Sequence, residues 1–378
     1  MLHHYKLFTF ALLILVIILK GCSEDEIEED HFSDLPLYQL EQVEVLSDQG
    51  DLIVGQPVYT EIDSEGNRLV MDLSSFEIHV YDSQGTYQNS FGREGSGPGE
   101  FQQPARPVIG HNDTLYISDH TRRSLLVFYK SGDYEWSPAY DVAFPRGENG
   151  FPSRALTPAA SGYPVIYRVN DESDEFPDGY SEVRLLNRQG DFIDDTDVKF
   201  RNGSMIELNM DGNQIRIGIS EMPGNQITPK NDGTYFKAWT GDPVIYHYSN
   251  TGDLIKEIDL EGYPVQPVNN QAISALNERM FGGRFGDMSG DLRNSIGDTF
   301  PLFSQIMVMH DESLWLAKIV PESANQSWYH LSPDGEPLGQ LTLDEGLRLR
   351  NAVDGDIYVS GELEDGAPAI IRYSITAM

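Results

Sequence analysis

The sequence contains a single cysteine, Cys22, among 378 residues, and this excludes an internal disulfide framework. It has no Cys-x-x-Cys pair or cysteine and histidine cluster that would hold zinc. Gly-x-Ser-x-Gly, His-Glu-x-x-His and phosphate-loop motifs are missing as well. The motifs therefore predict no catalytic residue.

Basic residues are scarce: the chain has 26 Lys and Arg against 60 Asp and Glu, which gives a net charge of −34. A chain this acidic repels a phosphate backbone, so nucleic acid is excluded as a partner. Long apolar runs are missing too. The longest covers 13 residues, 7–19, with only Thr9 interrupting it, and a hydrocarbon core needs about 20. This run is typical of the apolar region of a signal peptide.

The apolar run leads into Leu-Lys-Gly-Cys, which ends at Cys22. This resembles the lipobox of bacterial lipoproteins, although Lys20 departs from the small residue that is usual there. The resemblance implies that residues 1–21 are a lipoprotein signal peptide and that Cys22 carries the lipid. The alternative is an ordinary export signal followed by an unrelated cysteine.

An acidic segment, residues 23–30, follows the cysteine. It resembles the surface-export signal of Bacteroidetes-type lipoproteins. That implies an exported protein, anchored by lipid to the outer membrane and exposed at the cell surface. We predict that residues 22–36 form an acidic flexible tether, because such a composition cannot bury a core. The lipid would then be the only contact with the membrane.

One pattern of strand and tight turn recurs six times in the rest of the chain. Each copy follows another short strand of alternating polarity. The copies occupy residues 79–85, 127–132, 184–190, 247–252, 330–335 and 371–374. Six such copies predict an all-β fold, a six-bladed β-propeller over residues 37–378.

The most regular copy lies in residues 91–132. There a Phe-Gly pair precedes a glycine-rich loop, a proline, and the sequences Leu-Tyr-Ile-Ser-Asp and Val-Phe-Tyr-Lys-Ser-Gly. This stretch resembles an NHL-type propeller repeat, and the chain resembles the six-bladed propeller lipoproteins of Bacteroidetes-like bacteria. The resemblance implies a binding or scaffold role without assigning a ligand, because a fold does not fix a function.

The sixth copy reaches the end of the chain with no room for an outer strand. Residues 39–45 alternate in polarity and precede the first blade, so we predict that this N-terminal strand closes the last blade. A helix capped by Asn269 or Asn270 is predicted between blades four and five, and an extra hairpin around residues 209–213. Three long insertions are predicted on one face of the ring, at residues 137–158, 197–226 and 263–303.

Insertions that share a face commonly mark the binding face of a repeat ring. The candidate binding residues on that face are Arg93, Glu94, Asp119, Arg122, Arg123, Arg284 and Phe285. Grouped arginines in an acidic chain suit an anionic group on a small ligand or a partner protein. Two alternatives stay open: these arginines neutralise neighbouring carboxylates, and Asp119 caps its own turn.

The sequence therefore predicts a lipid-anchored binding module without a cofactor, and favours binding over catalysis. The runner-up is a hydrolase similar to the propeller lactonases and strictosidine-synthase relatives, which hold a Ca²⁺ ion in the central tunnel. That resemblance implies Glu, Asn and Asp ligands on inner strands, and the sequence singles out none. A third hypothesis is a subunit of a surface nutrient-uptake complex.

Overall fold

The computed structural model describes residues 32, 34–147, 150–171, 176, 179–210, 213–282, 287–309, 312–353 and 355–377. These residues form six four-stranded antiparallel sheets and one two-stranded sheet. The first three blades and the closing strand are built from β1 (Tyr38–Leu46), β2 (Pro57–Ile62), β3 (Arg68–Asp72), β4 (Glu77–Tyr81), β5 (Tyr87–Phe91), β6 (Val108–Ile109), β7 (Leu115–Asp119), β8 (Ser124–Lys130), β9 (Trp136–Ala143), β10 (Gly150–Ala155), β11 (Tyr163–Val169), β12 (Tyr180–Leu186) and β13 (Phe192–Arg201).

The second half of the chain contains the extra hairpin, two helices and the last three blades. Its elements are β14 (Ile206–Met210), β15 (Asn213–Ile217), β16 (Asn225–Pro229), β17 (Tyr235–Trp239), β18 (Val244–Tyr248), β19 (Leu254–Asp259), α1 (Asn270–Phe281), α2 (Ser289–Ile296), β20 (Gln305–Val308), β21 (Leu314–Ala317), β22 (Gln326–Leu331), β23 (Pro337–Leu343), β24 (Arg348–Val353), β25 (Asp356–Glu362) and β26 (Pro368–Ala377).

Each of the first five blades takes four strands in order from the centre outward, beginning at β2, β6, β10, β16 and β20. The sixth blade runs β24, β25, β26 and then β1, which pairs antiparallel with β26 from Tyr38 opposite Ala377 to Leu46 opposite Ile370. The N-terminal strand therefore occupies the outer position that the alternation of residues 39–45 predicts. Glu44 of this strand also contacts Arg68 of blade one at 3.2 Å, which ties the two ends of the ring together.

Apolar side chains pack between neighbouring blades. Separate buried clusters fill the spaces between blades one and two, two and three, three and four, four and five, five and six, and six and one. A blade thus buries apolar residues on both of its faces, as the fully buried β3 shows. This burial is the main stabilising contribution to the ring, at about 25 cal/mol for each Å² removed from water.

Part of the predicted tether, residues 22–36, packs on the propeller before β1 begins. Phe32 is 3% exposed and packs with ring centroids 5.1 Å from Tyr263 and 5.0 Å from Tyr329. The Gln340 N–H donates to the Pro36 carbonyl at 2.9 Å. The prediction of a flexible tether is therefore wrong at Phe32, Leu35 and Pro36, which dock on blades four and five. Cys22 and the acidic run lie outside the described residues.

One predicted insertion is also wrong. Residues 137–158 consist mainly of β9, the outer strand of blade two, and β10, the inner strand of blade three. Prolines at positions 138 and 152 mislead here, because an exposed outer strand and an inner edge both tolerate a missing N–H donor.

The other two insertions pack together into one element, which we call the cap. It comprises the predicted hairpin, β14 and β15, and the helices α1 and α2, where the sequence predicts one helix. The Asn269 side chain accepts from the Ala272 N–H at 2.8 Å and so caps α1 as expected. The fully buried Ile206, Leu276 and Leu292 join hairpin and helices in a core of their own. None of the described helices is long and apolar enough to cross a membrane.

Candidate functional site

The innermost strands of the six blades border the central channel, and irregularities in three of them redirect their side chains. The pairing register shifts between Pro57 and Tyr59 in β2, between Pro152 and Arg154 in β10, and between Leu349 and Asn351 in β24. Such a bulge inserts an unpaired residue and changes the direction in which neighbouring side chains point. Tyr59, Arg154 and Arg350 all lie at or beside these bulges.

Glu61 and Arg106 form an ion pair in this channel. Their Oε1 and Nε atoms are 3.0 Å apart, and the Glu61 side chain is 7% exposed against 37% for Arg106. Burial raises the pKa of the Glu61 carboxyl, and the positive charge of Arg106 opposes that shift. Arg106 thus keeps a partly open guanidinium while it neutralises the carboxylate.

Two further arginines point to the same space. Arg154 donates to the Ile227 carbonyl at 2.5 Å, and the Nε of Arg350 donates to Ser360 Oγ at 2.7 Å. Burial lowers the pKa of Arg154 and of Arg350. Both side chains nevertheless keep partial exposure. Side chains that are largely buried but still reach water are typical of the lining of a channel.

Electrostatic contacts place these arginines near the axis of the ring. Arg154 belongs to blade three and Arg350 to blade six, which lie opposite each other in a ring of six. Tyr59 and Arg106 nevertheless lie within electrostatic range of both of them. Only a position near the centre of the ring brings all four side chains within range. We call this group the arginine channel: Tyr59, Glu61, Arg106, Arg154 and Arg350.

The arginine channel has more positive than negative charge. Three guanidinium groups and one carboxylate belong to this group, in a protein whose net charge is −34. Arg154 and Arg350 have no carboxylate partner among the described residues, and each uses one of its five N–H groups in the contacts above. Planar guanidinium groups with free donors suit carboxylate, phosphate and sulfate groups.

Two of the arginines predicted on the binding face, which we call the rim, form hydrogen bonds and ion pairs within the protein. Arg122 donates to the carbonyls of Gly97 and Glu100 at 2.8 and 2.7 Å, and to Asp141 at 2.5 Å. Arg93 pairs with Glu100 through its Nε at 2.7 Å. These contacts favour the interpretation that both arginines neutralise carboxylates and fasten loops.

The remaining predicted residues give no assembled site. Asp119 is fully buried and accepts the backbone N–H groups of Gln102, Gln103 and Arg122, as a turn cap does. Glu94 and Arg123 are exposed, and Arg123 has a positive φ of 51°. Arg284 and Phe285 lie outside the described residues.

The sequence analysis did not predict the arginine channel, but a regular spacing in the sequence indicates part of it. Tyr59, Arg106 and Arg154 each precede the first residue of the second strand of their blade by nine positions. Aligning the repeats on their second strands instead of their turns brings these residues into one column. Arg350 does not fit this column, because the loop between β24 and β25 is shorter.

A polar pocket of about 470 Å³ adjoins the channel between blades three and four, beside the cap. Ser153, Arg168, Asn225 and Gln226 belong to its lining. Ser153 precedes Arg154 in β10, and Gln226 precedes Ile227, whose carbonyl accepts from Arg154. The strands β10 and β16 therefore contribute residues to the pocket and contacts to Arg154.

Blade one contains the residue types of a hydrolase triad. His79 lies 2.8 Å from Ser90 Oγ through Nδ1 and 3.5 Å from Asp72 through Nε2. The His79 side chain is fully buried, so a leaving group has no access to the imidazole. Asp72 also accepts the backbone N–H groups of Gly55, Gln56 and Ser74, the role that Asp119 has in blade two. We therefore assign this series to the structure of the blade.

The arginine channel does not fit a Ca²⁺ ion. Calcium requires six to eight oxygen ligands, usually with several carboxylates. The one carboxylate of this group, Glu61, is already paired with Arg106. Across the described part of the chain, no three His, Cys, Asp or Glu residues are grouped as metal ligands.

Comparisons with known proteins agree with this architecture. The family described as DUF5128, 6-bladed beta-propeller, matches residues 56–145, which span blades one and two. No curated protein matches the sequence significantly.

Among solved structures, the chain is similar to an exported protein from Bacteroides fragilis, with 13% identity, a TM-score of 0.54, and coverage of 92% of this chain and 98% of that one. It is also similar to a DUF4221 member from Bacteroides vulgatus, with 9% identity, a TM-score of 0.48, and coverage of 90% and 99%. A PQQ-bound aldose sugar dehydrogenase from Streptomyces coelicolor gives 12% identity, a TM-score of 0.44, and coverage of 90% and 98%. The chain is an all-β protein with the six-bladed propeller fold.

Proposed function

We propose that this propeller is an exported, lipid-anchored binding module that takes a small anionic ligand in the arginine channel. The observation that carries the proposal is that Arg154 and Arg350, from opposite blades, both lie within electrostatic range of Arg106, while only Arg106 is paired with a carboxylate. The rest of the acidic chain keeps anions away, so a local excess of positive charge is a specific feature.

Burial strengthens this site. An ion pair gains more in a partly desolvated channel than at an exposed surface, where water and salt screen it. Arg154 and Arg350 already have the lowered pKa of buried cations, and a bound anion would compensate part of that desolvation.

Anion binding is tested on the chain from residue 23 onward, which retains every described residue. We expect inorganic phosphate, sulfate or acetate to raise the melting temperature of this chain, because a ligand bound to the folded state stabilises it. Arg154→Gln and Arg350→Gln should abolish that rise.

Arg123→Gln is the matched control, since it removes one exposed positive charge at the rim. It should keep the full response to anions. A similar loss in this control would point to bulk electrostatics, and a wild-type chain that does not respond to any anion would contradict the channel as the binding site.

Lipid anchoring rests on the sequence around Cys22. The name of the similar Bacteroides fragilis structure, an exported protein, agrees with export. We expect Cys22→Ala to move the protein from the membrane fraction to the soluble fraction, because one lipid-bearing residue supplies the anchor. A variant that still sediments with membranes at high salt would contradict the lipoprotein assignment.

A further inference from the structure

The polar pocket beside the channel has an unusual lining for this protein. Its polar side chains are neutral except for Arg168, and no carboxylate lies among the residues that the structure places around it. The whole chain has 60 Asp and Glu, so a lining without them differs in charge from the composition of the chain. The polar members are Ser153, Arg168, Ser181, Asn202, Ser204, Ser220, Asn225, Gln226, Thr240 and Ser304.

Part of this lining is fixed by internal hydrogen bonds. Ser181 donates to Asn202 at 2.8 Å, and the Gly224 N–H donates to Thr240 at 2.9 Å. The first contact joins β12 to the residue that follows β13 in blade three, and the second joins the residue before β16 to the residue after β17 in blade four. The pocket walls are therefore positioned before any ligand arrives.

Another part of the lining has unused hydrogen-bonding groups. The side chains of Ser153, Ser204, Asn225 and Gln226 have no hydrogen-bond partner within the described residues, and each is at least partly exposed. Hydroxyl and amide groups both donate and accept, so they pair with either end of a ligand hydroxyl. Such a surface suits a molecule with several hydroxyl groups.

We propose that the pocket and the arginine channel form one site for a hydroxyl-rich anion, a sugar acid or sugar phosphate. The acid group binds Arg154, and the hydroxyl groups bind Ser153, Asn225 and Gln226. The two parts meet at the backbone of β10 and β16, where Ser153 precedes Arg154 and Gln226 precedes the residue whose carbonyl Arg154 contacts. A volume of about 470 Å³ lies in the range of small-molecule sites. This inference rests on the proposed function and names its ligand class.

The test measures binding to the chain from residue 23 by titration calorimetry. Four probes separate the contributions: acetate and inorganic phosphate report the channel alone, D-glucuronate adds hydroxyl groups to a carboxylate, and D-glucose 6-phosphate adds them to a phosphate. We expect each sugar anion to bind at least about tenfold more tightly than its simple counterpart, since two or three added hydrogen bonds supply that difference. Whichever sugar anion binds more tightly identifies the acid group.

Variants then separate the two parts of the site. Asn225→Ala combined with Gln226→Ala should weaken the sugar anion about tenfold and leave acetate and phosphate unchanged. Arg154→Gln should weaken all four anions. Gln84→Ala, in an exposed turn of blade one, is the control. It should change the affinity neither for the sugar anions nor for acetate and phosphate. Circular dichroism melting confirms that each variant folds.

Two results would overturn the inference in distinguishable ways. If sugar anions bind no more tightly than acetate or phosphate, or if the pocket variant affects all anions alike, the pocket is not part of the site and the channel proposal stands. If none of the four anions binds, the pocket inference and the proposed function both fail.

Discussion

The rim and the channel both contain arginines, and they differ in what those arginines already bind. At the rim, Arg122 fills three acceptors and Arg93 pairs with Glu100. In the channel, Arg154 and Arg350 each contact one neutral oxygen and no carboxylate. A cluster of arginines is thus structural where its donors are satisfied within the fold and available for a ligand where they are not.

The largest effect on stability should come from Asp119, whose carboxylate caps the turn at the rim. Asp119→Ala removes the acceptor for three backbone N–H groups while the site stays buried. We expect a loss of about 3 kcal/mol in the free energy of unfolding, because buried donors are left without partners. Denaturant unfolding measures it. A loss below about 1 kcal/mol would mean that the rim turn does not depend on this carboxylate.

A smaller effect separates the two arginine groups directly. Arg122→Gln should lower the free energy of unfolding by about 2 kcal/mol, because the carbonyls of Gly97 and Glu100 lose their donor. Arg154→Gln should leave it within about 0.5 kcal/mol of wild type or raise it, since it removes an unpaired desolvated charge. Equal destabilisation by both variants would erase the distinction between rim and channel.

The smallest effect is a pH dependence within the channel. The pKa of Glu61 is raised from its ordinary value of 4.5, so the folded state holds this proton at a pH where the unfolded chain has released it. The contribution of Glu61 to stability therefore falls as pH rises from the unfolded to the raised folded value. Over the same interval, protonation at the lower pH releases Arg106 from its ion pair.

Anion binding should follow that release. We expect sulfate, whose charge does not change over this pH range, to bind more tightly as pH falls through the raised pKa of Glu61. The variant Glu61→Gln should bind sulfate as tightly at neutral pH as wild type does at low pH. Arg106→Gln should remove most of the pH dependence. Measuring the anion affinity of each variant across this pH range tests the role of Glu61. If the pH profile of Glu61→Gln is the same as that of wild type, another group titrates.

Local patterns in the sequence determined much of the fold. Period-two alternation and glycine turns predicted six blades, and a polar alternating segment at residues 39–45 predicted the strand that pairs with β26. The Asn269 cap and the extra hairpin were predicted from short signals as well. These features depend on a few neighbouring residues, which is why the sequence alone reveals them.

The tertiary structure alone decided the site. Residues 137–158 have the composition of a loop, and they are strands because outer and inner edges of a sheet tolerate proline. The arginine channel brings together residues that are up to 291 positions apart, Tyr59 and Arg350, and bulges in β2, β10 and β24 set which side chains border the axis. Closure of the ring is what makes these distant positions neighbours, and no local pattern encodes that distance.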